Sequence, residues 1–153
     1  MDIVIMDLDG VLCDNSHRAH LVPPADQQHR NEAWRPFVAE CVNDAPIAEG
    51  LVLYHALVES GTPVVIVTSR QEMFEPLANE WLGKHTSCNN WLICRDNEDD
   101  SSPADYKRHV LWKLRSFGHN ILFAIDDDPA IVAMYNAEGV PTFQPSTRCS
   151  SCK

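Results

Sequence analysis

The sequence predicts an α/β fold, a Rossmann-like three-layer sandwich with a central, mainly parallel sheet and a small helical insertion. Strand and helix signals alternate along the chain, which is typical of parallel strands joined by crossover helices. Two apolar runs rich in β-branched residues, IVIM at 3–6 and VVIV at 64–67, have the composition of strands buried on both faces. The length of 153 residues fits one domain, which we expect to span residues 1–148, followed by a tail at 149–153.

The first half of the chain is expected to contain two strands and two helices. The segment after the first strand is polar and has no clear period, whereas the later segments repeat apolar residues at helical spacing. The elements are, in order, a strand at 3–6, a cap insertion at about 13–48 with a helix at about 32–41, a helix that ends at Gly61, and a strand TPVVIVTSR whose buried part is 64–67.

The second half repeats this alternation. Its one strongly acidic segment, residues 96–105, is interpreted as a solvated connection. The elements are, in order, a helix within QEMFEPLANEWLGKH, a short strand WLICR, the acidic loop, a helix at about 103–117, a strand NILFAI, a helix that ends at Gly139, and a short strand within VPTFQP.

Charge and hydropathy exclude several classes of protein. The formal net charge of −10 argues against broad wrapping of nucleic acid, which depends on many contacts from lysine and arginine to phosphates. It is compatible with a small phosphorylated ligand, or with one nucleic-acid end held by a few local cations. No segment approaches the roughly 18 to 20 apolar residues that a membrane span needs, and no signal-peptide pattern opens the chain. We therefore expect a soluble, cytoplasmic protein with no membrane partner.

The six cysteines are expected to be reduced thiols, because disulfides are rare in intracellular proteins. Cys149 and Cys152 have the spacing of metal ligands. A structural zinc site needs four ligands, however, and no second pair has the usual spacing. The CSSC segment is therefore expected to be an unliganded tail.

Two carboxylates, Asp7 and Asp9, leave the end of the first strand and are followed by Gly10. Residues two apart on a strand point the same way, and a turn through Gly10 would also bring the two side chains together. Two anions held that close repel each other unless a cation or a shared proton lies between them. The spacing alone leaves open a simpler alternative, a solvated strand end or a helix cap.

Two further strands also end in polar residues, TSR at 68–70 and DDD at 126–128. The carboxyl ends of parallel strands lie along one edge of a sheet, where open α/β sheets bind their ligands. We therefore expect the three sets to converge. Carboxylates from two strands suit a hard cation that prefers oxygen ligands, and Mg²⁺ fits best. The absence of a GxxxxGK[ST] motif argues against a P-loop kinase.

DLDGV at 7–11 resembles the DxDG[TV] signature of the haloacid dehalogenase superfamily. Thr68 after an apolar strand, Lys107 at a helix start, and Asp126 with Asp127 follow in that family's order. These four motifs identify the chain as a member. More narrowly, it is similar to the 3′-phosphatase domain of bacteriophage polynucleotide kinases in the stretches NSHRAH, WRPFVAECVNDAPI, VVIVTSR, YKRHVLWKL and AIDDDPAIVAMYNAEGV. The chain contains no kinase module, so the resemblance concerns the phosphatase half only.

The resemblance implies a role for each residue of these motifs. Asp7 would be the nucleophile that forms an aspartyl-phosphate, and Asp9 the general acid and then the general base. Thr68 would bond to the transferring phosphate and Lys107 would neutralise it. Mg²⁺ would be held by Asp7, the backbone carbonyl of Asp9 and Asp127, with Asp126 acting through water or by orienting Lys107.

Four further residues are expected to bind the substrate. Arg18 and Arg70 match positions that contact the substrate phosphate in the phage domains. Arg95 is near a place where relatives often carry a basic residue, and Ser69 is included although its backbone alone could serve. A surface salt bridge is the alternative for each arginine. Asp128, where relatives carry an arginine, is interpreted as a helix cap before Pro129 that adds negative charge near the site.

The resemblance and the residues together predict a Mg²⁺-dependent phosphomonoesterase that removes 3′-phosphates from nucleic-acid ends or nucleotides. If the chain is encoded by a phage, its location would be the cytoplasm of the host cell. One alternative is a nucleoside monophosphatase or another small-metabolite phosphatase, which the net charge of −10 would suit. A second alternative, a nucleotide-binding module without turnover, fits the intact set of charged motif residues less well.

Overall fold

A sheet of five parallel strands forms the centre of the computed structural model, which describes residues 1–86 and 89–146. The strands in chain order are β1 (Asp2–Met6), β2 (Cys13–Asp14), β3 (Ala45–Pro46), β4 (Val64–Gln71), β5 (Trp91–Arg95), β6 (Asn120–Ile125) and β7 (Thr142–Phe143). The central sheet has the order β5-β4-β1-β6-β7, and β2 pairs separately with β3. β1 therefore lies in the middle, between β4 and β6, and the predicted parallel sheet is confirmed.

Helices cover both faces of this sheet. They are α1 (Arg35–Ala39), α2 (Ala48–Glu59), α3 (Glu75–His85), α4 (Pro103–Ser116) and α5 (Pro129–Ala137). Ile3 and Ile5 of β1 pack in one hydrophobic cluster with residues of α4 and α5, whereas Met6 packs in another with residues of α2 and α3. Because successive side chains of a strand point to opposite faces, β1 contributes to both clusters. The predicted three-layer sandwich is thus confirmed.

The insertion between the first two motifs is closed at its base by β2 and β3. These strands pair antiparallel, with Cys13 opposite Pro46 and Asp14 opposite Ala45. The single helix predicted over about 32–41 is wrong. The structure has a 3₁₀ turn at Asn31–Trp34, then α1, then a second 3₁₀ turn at Cys41–Asn43. Pro36 lies in the first turn of α1, where the missing N–H group is tolerated, so it favours a new helix start at this point.

β4 covers most of the predicted strand TPVVIVTSR and ends one residue later, at Gln71. Thr68, Ser69 and Arg70 lie in its second half, and Gln71 pairs with Arg95 of β5. The pairing is irregular between Val67 and Gln71. Arg70 is only 2% exposed. Such a buried cation needs ionic partners, which the sequence pattern of one strand does not reveal.

The other predicted elements are present at nearly the expected positions. Asp128 caps α5, since its carboxylate accepts a hydrogen bond from the Ala130 amide at 2.8 Å. Cys13, Cys41 and Cys94 are free and buried, in agreement with the predicted reduced thiols. No helix in the described part of the chain is both long and apolar enough to cross a membrane. The CSSC segment, with Cys149 and Cys152, lies outside the described residues.

Candidate active site

The carboxyl ends of β1, β4 and β6 bring polar residues together at one edge of the sheet. Asp7 follows β1, and its amide donates to the Ile125 carbonyl at the end of β6 at 2.9 Å. Asp9 reaches toward β4, where Arg70 Nε donates to Asp9 Oδ2 at 2.9 Å. The convergence expected from the sequence is therefore observed. It follows from the strand order, because β1 has β4 on one side and β6 on the other.

Gly10 makes the close approach of two of these segments possible. Its backbone has a φ of +79°, a conformation that residues other than glycine rarely adopt. A Cβ atom at this position would also lie 2.0 Å from Oδ2 of Asp127. The glycine of the DLDG stretch thus serves both the turn after Asp9 and the space that the Asp127 carboxylate occupies.

The first group of charges at this edge, which we call the carboxylate cluster, consists of Asp7, Asp126, Asp127 and Lys107. Lys107 Nζ lies 2.8 Å from Asp7 Oδ1 and 2.6 Å from Asp126 Oδ2. Lys107 and Asp126 are each 1% exposed and Asp7 is 8% exposed, whereas Asp127 is half-buried. One ammonium group therefore faces three carboxylates in a largely desolvated place.

Burial, together with this excess of negative charge, raises carboxyl pKa values in the cluster. Burial raises the pKa of Asp7 well above its usual range, and the ion pair with Lys107 offsets this only in part because Asp126 and Asp9 act in the opposite direction. Burial and the neighbouring Asp126 raise the pKa of Asp127 to about 6. For Lys107 the two carboxylates outweigh burial, so its pKa is raised and it stays protonated.

The carboxylate cluster fits a divalent cation. One oxygen each from Asp7, Asp126 and Asp127 can be chosen so that all lie within 4.8 Å of one another. Carboxylate oxygens in this number are the ligands that Mg²⁺ takes in proteins, usually together with several waters. A cation there would also balance the excess negative charge that, after burial, raises the pKa values of Asp7 and Asp127. The type of ligand atom and the balance of charge therefore both fit a divalent cation.

The second group, which we call the arginine cluster, consists of Asp9, Asp44, Arg18 and Arg70. Arg70 binds the Asp9 carboxylate with two nitrogens, Nε at 2.9 Å and Nη2 at 2.8 Å. Arg18 makes a bidentate contact with Asp44, from Nε to Oδ1 and from Nη2 to Oδ2, each at 2.8 Å. Its Nη2 also lies 2.5 Å from Asp9 Oδ1. Arg70 Nη2 closes the group by donating to Asp44 Oδ2 at 3.0 Å.

Charges in the arginine cluster balance, with two guanidinium groups and two carboxylates. Burial works to raise the pKa of Asp9, but the ion pairs with Arg70 and Arg18 outweigh it and lower the pKa to about 2. Two-pronged pairs between arginine and carboxylate fix geometry as well as charge. Asp9 is therefore ionised at neutral pH and held in one orientation.

Asp44 is a residue that the sequence analysis missed. It is 4% exposed and accepts hydrogen bonds from both arginines and from His17 Nε2, the last at 2.8 Å. Its own carbonyl accepts from Trp81 Nε1 of α3 at 2.7 Å. Asp44 follows no apolar run and belongs to no periodic pattern, so its place in the stretch WRPFVAECVNDAPI, which is similar to the phage domains, was the available signal. The His17 side chain, which is itself 40% exposed, thus contacts this buried carboxylate.

Three predicted contact residues take positions that differ in their access to a ligand. Arg18 is fully buried behind Asp9, and its Nη1 donates to the Phe37 carbonyl at 3.0 Å. Thr68 is also fully buried, and its hydroxyl accepts from the Arg70 amide at 3.3 Å. Ser69, in contrast, lines the open cavity in front of the site. Contacts of Arg18, Thr68 and Ser69 with a phosphate stay predictions.

Arg95 contacts the acidic loop and belongs to neither of the two clusters. It is 6% exposed, donates to the Ser101 carbonyl, and pairs with Asp99 at 3.5 Å. The loop is also fastened to the insertion, because the Asn31 amide donates to Asp100 Oδ1 at 2.7 Å and Asn31 Nδ2 donates to the Asp96 carbonyl at 3.0 Å. The loop is solvated as predicted, with Asp96, Glu98 and Asp100 exposed, but it also lines the cavity in front of the site through Asp100, Ser101 and Ser102.

A cavity of about 820 Å³ opens over both clusters. Its walls include Asp7, Asp9, Lys107 and Asp127, the acidic loop, and part of the insertion. The volume is that of a typical small-molecule site. These four side chains are thus accessible to a ligand considerably larger than a phosphate ion.

Comparison with known families gives one match that spans nearly the whole chain. The model of the polynucleotide kinase PNKP phosphatase domain matches residues 1–147. This range contains every residue of both clusters. No curated protein sequence matches the chain at a significant level.

Solved structures share the fold at low sequence identity. A chain of the Pnkp1/Rnl/Hen1 RNA repair complex superposes with a TM-score of 0.78 at 19% identity, over 94% of this chain and 42% of that one. A second structure of the Pnkp1/Rnl/Hen1 complex gives 0.76 at 20% identity, over 94% and 45%. A class C acid phosphatase from Bacillus anthracis with tungstate bound gives 0.58 at 12% identity, over 82% and 52%. The chain therefore spans less than half the length of the repair-complex chains that it resembles.

Proposed function

The chain belongs to the family of polynucleotide kinase PNKP phosphatase domains, phosphatases of haloacid dehalogenase type that hydrolyse phosphoric monoesters, and on this premise we propose a specific reaction for it. The proposed enzyme is a Mg²⁺-dependent phosphomonoesterase that works through an aspartyl-phosphate. Its proposed substrates are 3′-phosphates of nucleic-acid ends or of nucleotides. The observation that carries this proposal is the contact of Asp7 with Lys107 at 2.8 Å, beside the carboxylates of Asp126 and Asp127.

In the first half of the reaction, an oxygen of Asp7 attacks the phosphorus. The bond from Asp7 to phosphorus forms while the bond from phosphorus to the leaving alcohol breaks, and Asp9 gives its proton to that alcohol. In the second half, Asp9 takes a proton from water, the water oxygen attacks phosphorus, and inorganic phosphate leaves Asp7. Both residues line the same cavity, so a single bound phosphate can meet both.

The approach of a carboxylate to a phosphate dianion requires positive charge. Lys107 supplies part of it, because it lies against Asp7 and stays protonated. When bound to the carboxylate cluster, Mg²⁺ supplies the rest of the charge and lowers the repulsion between nucleophile and substrate. Asp126 holds Lys107 from the other side at 2.6 Å and so fixes the direction of its amine.

A general acid has to hold a proton, whereas the pKa of Asp9 is about 2 in the free protein. A phosphate bound beside Asp9 opposes the ionisation of this carboxyl and competes for the Arg70 guanidinium. Both effects raise the pKa of Asp9, because like charge and a weakened ion pair disfavour the anion. The arginine cluster thereby links phosphate binding to protonation of the acid.

Support for a nucleotide substrate comes from the family, whose description is a polynucleotide kinase phosphatase domain. The net charge of −10 and the acidic side chains of Asp100 and Asp128 in the cavity wall favour a second candidate, a nucleoside monophosphatase or other small-metabolite phosphatase. The two candidates share the reaction at Asp7 and differ only in the leaving alcohol.

The test is phosphate release, with and without Mg²⁺, from a 3′-phosphorylated oligonucleotide, its 5′-phosphorylated twin, free nucleotides and a sugar phosphate. We expect Mg²⁺-dependent release with preference for the 3′-phosphate. Asp7→Asn should lower the rate by roughly three orders of magnitude or more, whereas Asp26→Asn at an exposed position should not. An acid-trapped phosphoprotein sensitive to hydroxylamine would identify the acyl phosphate. Full activity of Asp7→Asn would contradict the mechanism, and preference for the sugar phosphate would favour the second candidate.

A further inference from the structure

The cavity over the two clusters has an apolar and aromatic wall that the reaction at phosphorus does not use. This wall comes mainly from the insertion, whose Val22, Trp34, Phe37 and Val38 all line the cavity that also contains Asp7. A phosphate ion alone gains nothing from apolar side chains. The wall therefore indicates the chemistry of the group attached to the phosphate.

The aromatic rings of this wall are fixed in place. Trp34 Nε1 donates to the Gln28 carbonyl at 2.9 Å, and the Trp34 and Phe37 rings meet edge to face at 5.6 Å. The guanidinium of Arg18 lies 4.1 Å from the centre of the Phe37 ring, so the wall is coupled to the arginine cluster. Trp34 is half-buried. A rigid, partly accessible aromatic ring of this kind is a stacking platform for a nucleobase.

The distribution of charge limits how many phosphates the cavity can hold. Among the described residues that line it, the lysines and arginines are Arg70, Arg95 and Lys107, and all three are buried and paired with carboxylates. No exposed lysine or arginine belongs to this lining, whereas Asp100 and Asp128 do. A second phosphate of a polymer would therefore find acidic side chains instead of cations.

From these two observations, and resting on the proposed function, we propose that the cavity binds the transferring phosphate together with one nucleoside, whose base packs against Trp34. Trp34 is then a specificity-determining residue, and the enzyme recognises the terminal nucleotide and nothing beyond it. The enzyme should accept a nucleoside 3′-monophosphate as readily as the end of a longer strand. Recognition through one phosphate also predicts little dependence on salt, since that dependence grows with the number of phosphates contacted.

The experiment compares thymidine 3′-monophosphate, a 3′-phosphorylated decathymidylate, and glycerol 2-phosphate as a base-free probe. For the native protein we expect kcat/KM of the two thymidylates to agree within about fivefold, because only the last nucleotide is bound. Trp34→Ala should lower kcat/KM for both thymidylates roughly five- to hundredfold through KM, the range measured for loss of one stacked base, and leave glycerol 2-phosphate unchanged. Trp34→Phe should retain most of the native value.

Trp112→Ala is the matched control, because Trp112 is 49% exposed and lies outside the cavity lining. A rise of kcat/KM of a hundredfold with strand length, or an equal loss on all three probes in Trp34→Ala, would overturn the inference while leaving the proposed reaction intact. Absence of hydrolysis of every probe would instead overturn the proposed function. Calorimetric titration of thymidine 3′-monophosphate into Asp7→Asn, with and without Trp34→Ala, then still decides the role of Trp34: equal affinity in the two proteins would overturn it.

Discussion

The carboxylate cluster and the arginine cluster lie side by side in one site but differ in their balance of charge. The arginine cluster sets two guanidinium groups against two carboxylates, and every member contacts another at 3.0 Å or less. The carboxylate cluster sets one ammonium group against three carboxylates. The side chains of the protein therefore balance the charge of the arginine cluster by themselves, whereas the carboxylate cluster keeps an excess of negative charge.

This difference appears directly in the acid strengths. The pKa of Asp9 in the arginine cluster is lowered to about 2, whereas the pKa of Asp127 in the carboxylate cluster is raised to about 6. Burial raises the pKa of both carboxyl groups. Whether the pKa is finally above or below its ordinary value therefore depends on how many cations lie nearby. The arginine cluster is thus preorganised by the fold, whereas the carboxylate cluster has the charge balance of a site that could hold a cation.

The largest effect is expected from removing Lys107, the one side-chain cation of the carboxylate cluster. Lys107→Met leaves the buried Asp7 and Asp126 without their partner, and breaking such a pair costs about 3–5 kcal/mol. We expect a loss of activity of roughly a thousandfold or more, since the nucleophile then faces the phosphate without a resident cation. Urea unfolding and phosphate release measure the two effects.

Lys113→Met is the control for this variant, because Lys113 lies on the same helix at an exposed position. It should change both quantities little. Activity of Lys107→Met within tenfold of the native value would show that the cluster does not depend on this cation.

The arginine cluster is tested by Asp44→Asn. Loss of this carboxylate leaves two buried guanidinium groups with Asp9 as their one remaining acidic partner in the cluster, so we expect destabilisation of about 3 kcal/mol. Misplacement of Asp9 and Arg70 should lower kcat roughly ten- to hundredfold. Because this cluster needs no metal, additional Mg²⁺ should not restore activity, and Asp26→Asn should behave as the native protein. Recovery at high Mg²⁺ would mean that the two clusters are not separate units.

A Mg²⁺ titration also distinguishes the two clusters, because we expect the metal ion to bind to the carboxylate cluster and not to the arginine cluster. We expect Mg²⁺ to raise the thermal midpoint of the native protein, with a gain of about 2.7 kcal/mol when its concentration is a hundred times the Kd. Asp127→Asn should shift half-maximal stabilisation to a roughly tenfold or higher Mg²⁺ concentration. The midpoint of the arginine-cluster variant Asp44→Asn should begin lower but rise over the same concentrations as that of the native protein. An unchanged Mg²⁺ titration in Asp127→Asn would remove this residue from the metal site.

The smallest expected effect is a difference in pH dependence without metal. Asp127 has a folded-state pKa of about 6 against an ordinary value of 3.8, so its contribution to stability is present below about pH 4 and is lost as the pH rises through 6. Asp9 acts oppositely, since its contribution is present above about pH 4 and is lost as the pH falls through 2. Denaturation in EDTA between pH 4 and 7 should show a fall in the free energy of unfolding that Asp127→Asn reduces and Mg²⁺ reverses.

The parts of the site that could be predicted are those with local signals. Asp7 and Asp126 each follow an apolar strand directly, and parallel strands end at a common edge, so their meeting was predictable from one sequence. Lys107 and Thr68 were identified through their resemblance to family motifs. The cap formed by Asp128 was predictable because an N-cap depends on the residues beside it.

Other parts depend on contacts that no local pattern records. Asp44 meets Arg70 across 26 residues, and Asn31 fastens the acidic loop by binding Asp100 across 69 residues. The insertion was predicted as one helix because apolar spacing was read without its neighbours, whereas packing around Phe37 and the proline at position 36 divide it.

The alternating α/β fold and the acidic residues after two central strands can be read from the amino-acid sequence, because hydrophobic period and strand ends are local properties of the chain. The pairing of the charges depends on the folded structure. Only folding brings Arg18, Arg70 and Asp44 around Asp9 and leaves the group around Asp7 short of a cation, because ion pairing depends on distance in space and on burial. It also turned the weakly patterned insertion into an aromatic wall beside the reacting carboxylate.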